Sequence, residues 1–246
     1  MATYDSIAKP YKKFKESPFC QHLEAYTYLN LIGDVTGKSL LDLACGEGFY
    51  TRKLKHKGAQ RLVGVDISEK MIELALLEEA REPQGIEYIV GDVQVLGFLG
   101  CFDLVVASYL LNFAQTQDQL LKICQSLAAN LKPGGRFVSI NNNPQVTASS
   151  YALLEKYGVS ATYDAPLQEG TSIFLTLTIP GSDEKISFNI YHFSFATYEW
   201  ALRSVGFKEI RWHRSIVSPE GVQEFGLDFW QDYIDCPSIV GLECLK

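Results

Sequence analysis

The chain has 246 residues, 47% of them hydrophobic, which is enough for one sizeable α/β domain with its own core. Its formal net charge of −7 argues against a nucleic-acid surface, because phosphate binding relies on clustered Lys and Arg. The six cysteines show no C-x-x-C spacing, which favours reduced thiols over disulfides or zinc and hence a cytoplasmic protein. No apolar run approaches a membrane span, and no signal peptide is expected.

The first 32 residues are predicted to form a helical arm ahead of the core. Tyr4, Ile7, Tyr11 and Phe14 recur at intervals of three and four, which places them on one helical face. A second helix is predicted to end before Gly33. The simplest interpretation is that this aromatic face packs as a lid against the core.

Residues 40–44 are predicted to be a buried strand that runs into a glycine turn. Their apolar run is typical of a strand covered on both faces of a parallel sheet. Gly46 and Gly48 then let the backbone approach a ligand, although a tight connection without a ligand has the same signature. Residues 51–57 are predicted to be the next helix, so a ligand would lie between the turn and a helix N-terminus.

A second apolar strand, residues 61–65, ends at Asp66, at the position where doubly wound folds place a carboxylate on a ribose diol. A nucleotide-type ligand is therefore predicted. The third glycine position of the dinucleotide fingerprint is Thr51, which disfavours a pyrophosphate cradle. Asp42, just inside the first strand end, repels a phosphate but suits a sulfonium or an amino group. The combination indicates S-adenosylmethionine.

Residues 86–90 and 102–107 are predicted to be the third and fourth strands. Asp92 follows the third strand and is either a ligand acceptor or a turn residue. Ligands of open α/β sheets bind at the carboxyl ends of the strands. Asn112 after the fourth strand and Asn141 after the fifth lie at that edge, and Asn112 would bind a substrate or cap a turn.

A long insertion follows the fifth strand. Residues 171–179 and 186–193 alternate in polarity around a Pro-Gly turn, which predicts a β-hairpin. Tyr191 and His192 fall on opposite faces of its second strand, so one of them should point inward.

The C-terminal part is predicted to contain a helix over residues 197–205 and strands over residues 208–217 and 238–245. Between the two strands lies an aromatic cluster that includes Phe229 and Trp230. Core packing explains most such clusters, whereas a planar substrate would use the same rings for stacking.

The chain resembles the class I S-adenosylmethionine-dependent methyltransferases in five segments that follow one another in the family's order. The matching segments are residues 42–48, 64–68, 90–93, 102–108 and 131–137. Within the small-molecule branch it is similar to the toxoflavin synthase-type methyltransferases, which act on a planar azapteridine-like heterocycle. That similarity is carried by residues 4–7, 33–39, 64–75, 229–230 and 240–244.

The resemblance implies an α/β fold with a seven-stranded, mostly parallel Rossmann-like methyltransferase sheet and helices on both faces. An antiparallel final hairpin, an inserted β-hairpin lid and the N-terminal helical arm complete it. A single domain over residues 1–246 is expected. Its parts are the arm (1–32), the cofactor-binding core (33–140), a substrate-covering insertion (141–195) and the C-terminal helix and strands (196–246).

The resemblance also implies site residues. The arm would close over the cofactor with Tyr11 near its carboxylate, and Asp92 would pair with the adenine amino group. The expected cofactor-binding set is Tyr11, Asp42, Ala44, Gly46, Gly48, Asp66, Ile67, Met71, Asp92, Val93, Ala107 and Ser108. The expected substrate-binding set is Tyr109, Asn112, Phe113, Asn141 and Trp230. No metal is expected.

The expected reaction transfers a methyl group from S-adenosylmethionine to N or O of a small planar aromatic, heteroaromatic or quinone-like acceptor, mainly by proximity and alignment. If the acceptor is a phenol or an enol, His192 is the first candidate base, with Tyr191 and His213 behind it. A monomer or a weak homodimer is expected, without nucleic-acid or membrane partners. A non-catalytic S-adenosylmethionine-binding regulator and an NAD-dependent dehydrogenase are the alternatives.

Overall fold

The computed structural model describes residues 3–164 and 166–246. The strands in this part of the chain are β1 (Ser39–Leu43), β2 (Arg61–Asp66), β3 (Glu87–Val90), β4 (Phe102–Ser108), β5 (Leu131–Asn142), β6 (Val159–Thr162), β7 (Ser172–Thr178), β8 (Lys185–Tyr191), β9 (Glu209–Arg214) and β10 (Ile239–Leu245). The helices are α1 (Ala8–Phe14), α2 (Ala25–Ile32), α3 (Phe49–His56), α4 (Glu69–Arg81), α5 (Gln117–Ala129), α6 (Ala148–Leu154), α7 (Phe195–Ser204), α8 (Pro219–Phe225) and α9 (Leu227–Asp235).

A seven-stranded sheet with the order β3-β2-β1-β4-β5-β10-β9 forms the centre of the molecule. Strands β1 to β5 pair in parallel, and β10 runs antiparallel between β5 and β9. The predicted sheet and its antiparallel final hairpin are therefore confirmed. The strand order reverses between β1 and β4, which is the point where open α/β sheets bind ligands.

The two faces of this sheet are buried in different layers. Because side chains alternate along a strand, Leu40 packs in the cluster that contains the arm, whereas Leu41 packs in the cluster that contains α5 and α7. Within the described residues, no helix has both the length and the apolar character needed to cross a bilayer. The cysteines of this part of the chain are all free.

The insertion forms a separate three-stranded antiparallel sheet with the order β6-β7-β8. The predicted hairpin is confirmed as β7 and β8. Strand β6 is an addition that the sequence pattern does not indicate, because four residues are too few to show alternation. Ile173, Leu175 and Leu177 of β7 are buried against the main core, while Phe174 on the other face is exposed.

The predicted arm is helical. A 3₁₀ turn (Thr3–Asp5) leads into α1, and a π-helical segment (Phe19–Glu24) leads into α2. Helix α2 ends at Ile32, and Gly33 is its C-cap. Three short helices, α6, α8 and α9, occupy segments for which the sequence pattern indicates no helix. The predicted aromatic cluster lies on α8 and α9.

Candidate active site

The turn after β1 has the geometry expected of a ligand-approach loop. Gly46 and Gly48 both have positive φ, 57° and 83°, and Ala44 shares this region at 59°. Such backbone conformations in a non-glycine residue concentrate at functional sites. A Cβ added at Gly48 would lie 2.4 Å from the Tyr88 hydroxyl oxygen, so only glycine fits there. The turn therefore brings bare backbone to the carboxyl end of the sheet.

Asp66 joins this turn to the next helix. Its Oδ2 accepts a hydrogen bond from the Gly46 N–H at 2.9 Å, and its Oδ1 accepts one from the Ser68 N–H at 2.8 Å. The side chain is buried, and burial raises the pKa of this carboxyl. Since each carboxylate oxygen has a second acceptor site, Asp66 can also accept from a ligand diol.

Asp42 is a second buried carboxyl beneath the turn. It is 2% exposed, and its Oδ2 accepts a hydrogen bond from the Thr51 hydroxyl at 2.7 Å. Burial raises its pKa to about 7, and the nearby charge of Asp66 adds to the effect. Thr51, which occupies the third glycine position, therefore holds this carboxyl.

An outer cleft of about 520 Å³ opens at the point where the strand order reverses. Its lining includes five of the predicted cofactor-binding residues: Ala44, Asp66, Ile67, Asp92 and Val93. None of the described residues that line this cleft is basic. The insertion also reaches it through Phe174, Ser187 and Asn189, which sequence reasoning missed although they share the polar face of the hairpin.

Other predicted cofactor residues lie behind or beside this cleft. Met71 and Ala107 are fully buried in the core around it. Ser108 has a buried hydroxyl oxygen without a hydrogen-bond partner among the described residues, which fits a polar ligand atom at this edge. Tyr11 lines a different space, the inner cavity.

The inner cavity lies beneath the arm and the three-stranded sheet. It has a volume of about 40 Å³ and is walled mainly by apolar side chains. Tyr109 and Phe113, both predicted to bind substrate, line it. Room for only a few waters means that a ring molecule enters only if the walls move.

Three rings form a wall that the outer cleft and the inner cavity share. Tyr4 of the arm, Phe113 after β4 and Phe188 of β8 line both spaces. The Tyr4 ring centre lies 5.7 Å from that of Phe113 and 5.3 Å from that of Phe188. Arm, core and insertion therefore meet at one boundary, which we call the ring wall.

A buried ionic cluster stands at one end of the inner cavity and was missed by sequence reasoning. Glu24 lines the cavity and is paired with the Lys15 ammonium. The hydroxyls of Tyr50 and Tyr109 also donate to Glu24, at 2.5 Å and 2.9 Å. No local motif announces this cluster, because its members come from the arm, α3 and the end of β4.

Two predicted substrate residues require correction. Asn141 is fully buried, and it is the next residue, Asn142, that lines the inner cavity, because neighbouring strand residues face opposite sides. Trp230 lines none of the described pockets near the site. It is fully buried, donates its indole N–H to the Gly221 carbonyl at 2.9 Å and stacks on Tyr157.

A small side pocket contains the predicted catalytic pair. His192 lines it, and Tyr191 lines both this pocket and the outer cleft. Burial lowers the pKa of His192, although the charge of Glu169 opposes the shift. Asn112 also lines this pocket and donates to the Tyr198 hydroxyl at 3.2 Å. The role of His192 as a base stays a prediction.

His213 is remote from these spaces. Its Nε2 lies 3.3 Å from Glu243 Oε2, on the outermost strands of the sheet. It lines a separate surface cleft, which removes it from the candidate bases. Within residues 3–164 and 166–246, no group of three or more His, Cys, Asp or Glu side chains is placed to hold a metal ion.

A family described as a methyltransferase domain matches residues 40–135. A demethylmenaquinone methyltransferase of Lactococcus lactis subsp. lactis (strain IL1403) is 36% identical over 148 residues, which are 57% of each chain. An N-demethylindolmycin N-methyltransferase of Streptomyces griseus is 27% identical over 178 residues, 70% of each chain. The chain thus spans little more than half of the first relative's length.

Solved structures show the same fold over a greater length. The crystal structure of an S-adenosylmethionine dependent methyltransferase from Mesorhizobium loti superposes with a TM-score of 0.65 at 19% sequence identity. The match covers 95% of this chain and 100% of that one. At this level of identity the match concerns the fold alone.

Proposed function

We propose that this chain, whose residues 40–135 match a methyltransferase domain family, is a class I S-adenosylmethionine-dependent methyltransferase that transfers a methyl group to a small acceptor molecule. The observation that carries the proposal is the acidic character of the carboxyl end of the sheet, where the glycine turn lies. Asp42 and Asp66 are buried on either side of the glycine turn, and the described lining of the outer cleft contains no basic residue. This arrangement suits a cationic nucleoside and opposes a pyrophosphate.

The residues present fit such a cofactor. Asp66 can accept hydrogen bonds from a ribose diol, and Asp92 has a carboxylate oxygen that is not used in its hydrogen bond from the Gln94 N–H at 2.9 Å. The Ser108 hydroxyl, which has no hydrogen-bond partner among the described residues, supplies a further polar group at this edge. When bound, S-adenosylmethionine supplies a methyl group that is already activated on a sulfonium.

The protein's part in the reaction is alignment and exclusion of water. Holding two reactants in a reactive geometry supplies about 7 to 11 kcal/mol of the barrier. The ring wall closes the outer cleft against the inner cavity, so movement of Tyr4, Phe113 or Phe188 would join the two spaces. Chemistry would then take place at this boundary, away from bulk solvent.

For the acceptor we propose a planar aromatic, heteroaromatic or quinone-like molecule that is methylated on nitrogen or oxygen. The support is the aromatic lining of the inner cavity, where Tyr109, Phe113 and Phe188 meet, since flat molecules stack on such rings. Two relatives are named for methylation of demethylmenaquinone and N-demethylindolmycin. We further propose that residues 1–246 act as one domain, as a cytoplasmic monomer or weak homodimer.

Two alternative functions would explain some of the same features of the site. A non-catalytic S-adenosylmethionine-binding regulator would need the outer cleft but not a covered second cavity. A dehydrogenase would need a phosphate-binding turn, which the buried Asp42 carboxyl opposes. Both are therefore disfavoured.

Isothermal titration with S-adenosylmethionine and NAD tests the proposal. Asp66→Asn should weaken S-adenosylmethionine binding at least about tenfold, since a lost charged acceptor costs roughly 1.5 to 3 kcal/mol. Asp183→Asn, an exposed change in the turn of the insertion, is the matched control and should bind as the wild type does. Binding of NAD but not of S-adenosylmethionine would refute the proposal.

A further inference from the structure

Glu24 is a buried acidic side chain in the wall of the inner cavity. Among the described residues that line the inner cavity it is the only charged side chain, and it is 2% exposed. A carboxylate is costly to bury in apolar surroundings unless it is paired and hydrogen-bonded. Its partners therefore decide what it can do.

The two oxygens of Glu24 are used unequally. Oε1 accepts from the Lys15 ammonium and from the Tyr50 hydroxyl. Oε2 accepts from the Tyr109 hydroxyl at 2.9 Å and lies 3.7 Å from the Cys20 sulfur. Because a thiol is a weak donor, Oε2 is the oxygen with remaining capacity.

Lys15 keeps this cluster electrically balanced. Burial alone would lower the pKa of its ammonium, but the charge of Glu24 raises it above the usual value. The ammonium also lies over the rings of Tyr11 and Tyr50, 5.3 Å and 5.1 Å from their centres, where a cation is stabilised. Lys15 is thus held as a cation beside the Glu24 side chain.

Tyr109 connects the cluster to the cavity. With φ of 61° and ψ of 4° it is one of two non-glycine residues in the left-handed region within the described chain, the other being Ala44 in the ligand turn. Its amide donates to the Ile140 carbonyl at 2.8 Å, which fixes the strained backbone. The hydroxyl donates to Glu24, so its oxygen lone pairs stay available to a molecule in the cavity.

We propose that Tyr109 and Glu24 form a relay that binds the acceptor's N–H or O–H group and removes its proton. The acceptor donates a hydrogen bond to the Tyr109 oxygen. As the new carbon–nitrogen or carbon–oxygen bond forms, the methyl–sulfur bond breaks and its electron pair stays on sulfur. The acceptor's proton passes to Tyr109, and the Tyr109 proton passes to Glu24 and later to solvent.

The relay predicts the chemical class of the acceptor. It rests on the proposed methyl transfer, and it selects a molecule that is mostly apolar and carries one neutral N–H or O–H group as the nucleophile. Tyr109 would be the catalytic residue because it touches the acceptor, and Glu24 acts through it as a positioning residue. Besides Tyr109, the carboxylate is contacted by Lys15, Tyr50 and Cys20. Its charge also acts on four further titratable groups, Tyr4, Tyr11, Tyr28 and Tyr233.

Two hydroxyl deletions provide a matched test. Tyr109→Phe removes the hydroxyl that lies at the cavity and donates to Glu24, whereas Tyr157→Phe removes one that donates to the Phe229 carbonyl and does not line the cavity. With menadiol and lumazine as acceptors, Tyr109→Phe and Glu24→Gln should lower kcat about 100-fold or more. Tyr157→Phe should stay within about threefold, because its hydroxyl contacts neither the acceptor nor Glu24. Equal kcat values for Tyr109→Phe and Tyr157→Phe would overturn the relay.

Two further measurements separate the relay from the proposed function. Glu24→Gln should lower kcat more than it changes the Michaelis constant for menadiol, because Glu24 acts through Tyr109. Binding of menadiol to protein loaded with S-adenosylhomocysteine should weaken about tenfold or more in Tyr109→Phe, as for a lost buried hydrogen bond. If the wild type binds menadiol but does not methylate it, the proposed function fails, and the difference in menadiol binding between the wild type and Tyr109→Phe still tests the relay. Equal binding by the two proteins, or no binding by the wild type, would contradict the relay.

Discussion

The Asp5 carboxylate accepts a hydrogen bond from the Ser68 hydroxyl at 2.7 Å. Ser68 caps α4 by accepting from the Met71 N–H, and its own N–H donates to Asp66. One hydroxyl therefore ties the N-terminal arm to the helix that follows Asp66. The arm that carries Tyr4 is thereby held over the outer cleft.

Asp5→Asn should loosen this arm. The variant keeps an amide oxygen that can accept from the Ser68 hydroxyl but loses the charge, which costs about 1 kcal/mol and corresponds to about fivefold faster dissociation of S-adenosylmethionine. Stopped-flow fluorescence measures the rate, and the exposed Asp118→Asn is the control. An unchanged dissociation rate would mean that the contact is not part of cofactor retention.

Asp42 should make cofactor affinity depend on pH. Its pKa is raised from 3.8 to about 7, so the folded apo protein binds an extra proton between these values. A bound cation favours the carboxylate and releases that proton, so S-adenosylmethionine affinity should rise with pH and level off above about pH 7. Titration calorimetry in two buffers of different ionisation enthalpy measures the proton release. Asp42→Asn should release fewer protons than the wild type.

Ionisation of the same Asp42 carboxyl should lower the free energy of unfolding as pH rises. A raised acid pKa contributes stability that is present below the unfolded value and is lost as pH rises through the folded value. The loss is on the order of 4 kcal/mol, from the shift between 3.8 and about 7. Asp42→Asn should therefore become more stable relative to the wild type as pH rises to neutrality. Urea unfolding at several pH values would show a constant difference if Asp42 were not perturbed.

His192→Ala should raise the Michaelis constant for the acceptor and change turnover by less than about threefold, because the relay through Tyr109 supplies the proton acceptor. Steady-state kinetics with menadiol measures both constants. A fall in turnover of about 100-fold, with cofactor affinity unchanged, would instead identify His192 as the base. Since burial lowers its pKa, the acid limb of activity would then lie below the usual imidazole range.

Trp230→Ala should act on stability. The side chain is fully buried, stacked 5.5 Å from Tyr157 and hydrogen-bonded to Gly221, so truncation should cost about 3 to 5 kcal/mol. Chemical denaturation measures the loss, and Leu227→Ala, exposed on the same helix, is the control. A stable variant with only a raised acceptor Michaelis constant would restore Trp230 to the substrate site.

The cofactor edge could be predicted because its signals are local. A buried strand, two glycines and an aspartate at the end of the next strand already specify the turn and its carboxylate, and Asp66 and Gly46 indeed meet at 2.9 Å. The periodicities that predict the sheet and the hairpin are local in the same way.

The acceptor side could not be predicted to the same extent. Tyr109 lies 85 residues from Glu24 in the chain, and it reaches the Lys15–Glu24 pair only through tertiary packing. Asn142 lines the cavity wall where the sequence analysis placed Asn141. Neighbouring strand residues face opposite sides, and the sequence does not show which of the two asparagines faces inward. Trp230 has the same local signature in a core as in a stacking site.

Transfer of an isotopically labelled methyl group is the most direct test of the account. The protein is incubated with S-adenosylmethionine that carries a deuterated methyl group and with menadiol, lumazine, a peptide mixture or DNA in separate reactions. Mass spectrometry should find the deuterated methyl on a ring nitrogen or oxygen of the planar acceptors, with matching release of S-adenosylhomocysteine. Binding of S-adenosylmethionine without transfer to either ring molecule, or transfer to peptide or DNA alone, would contradict the account.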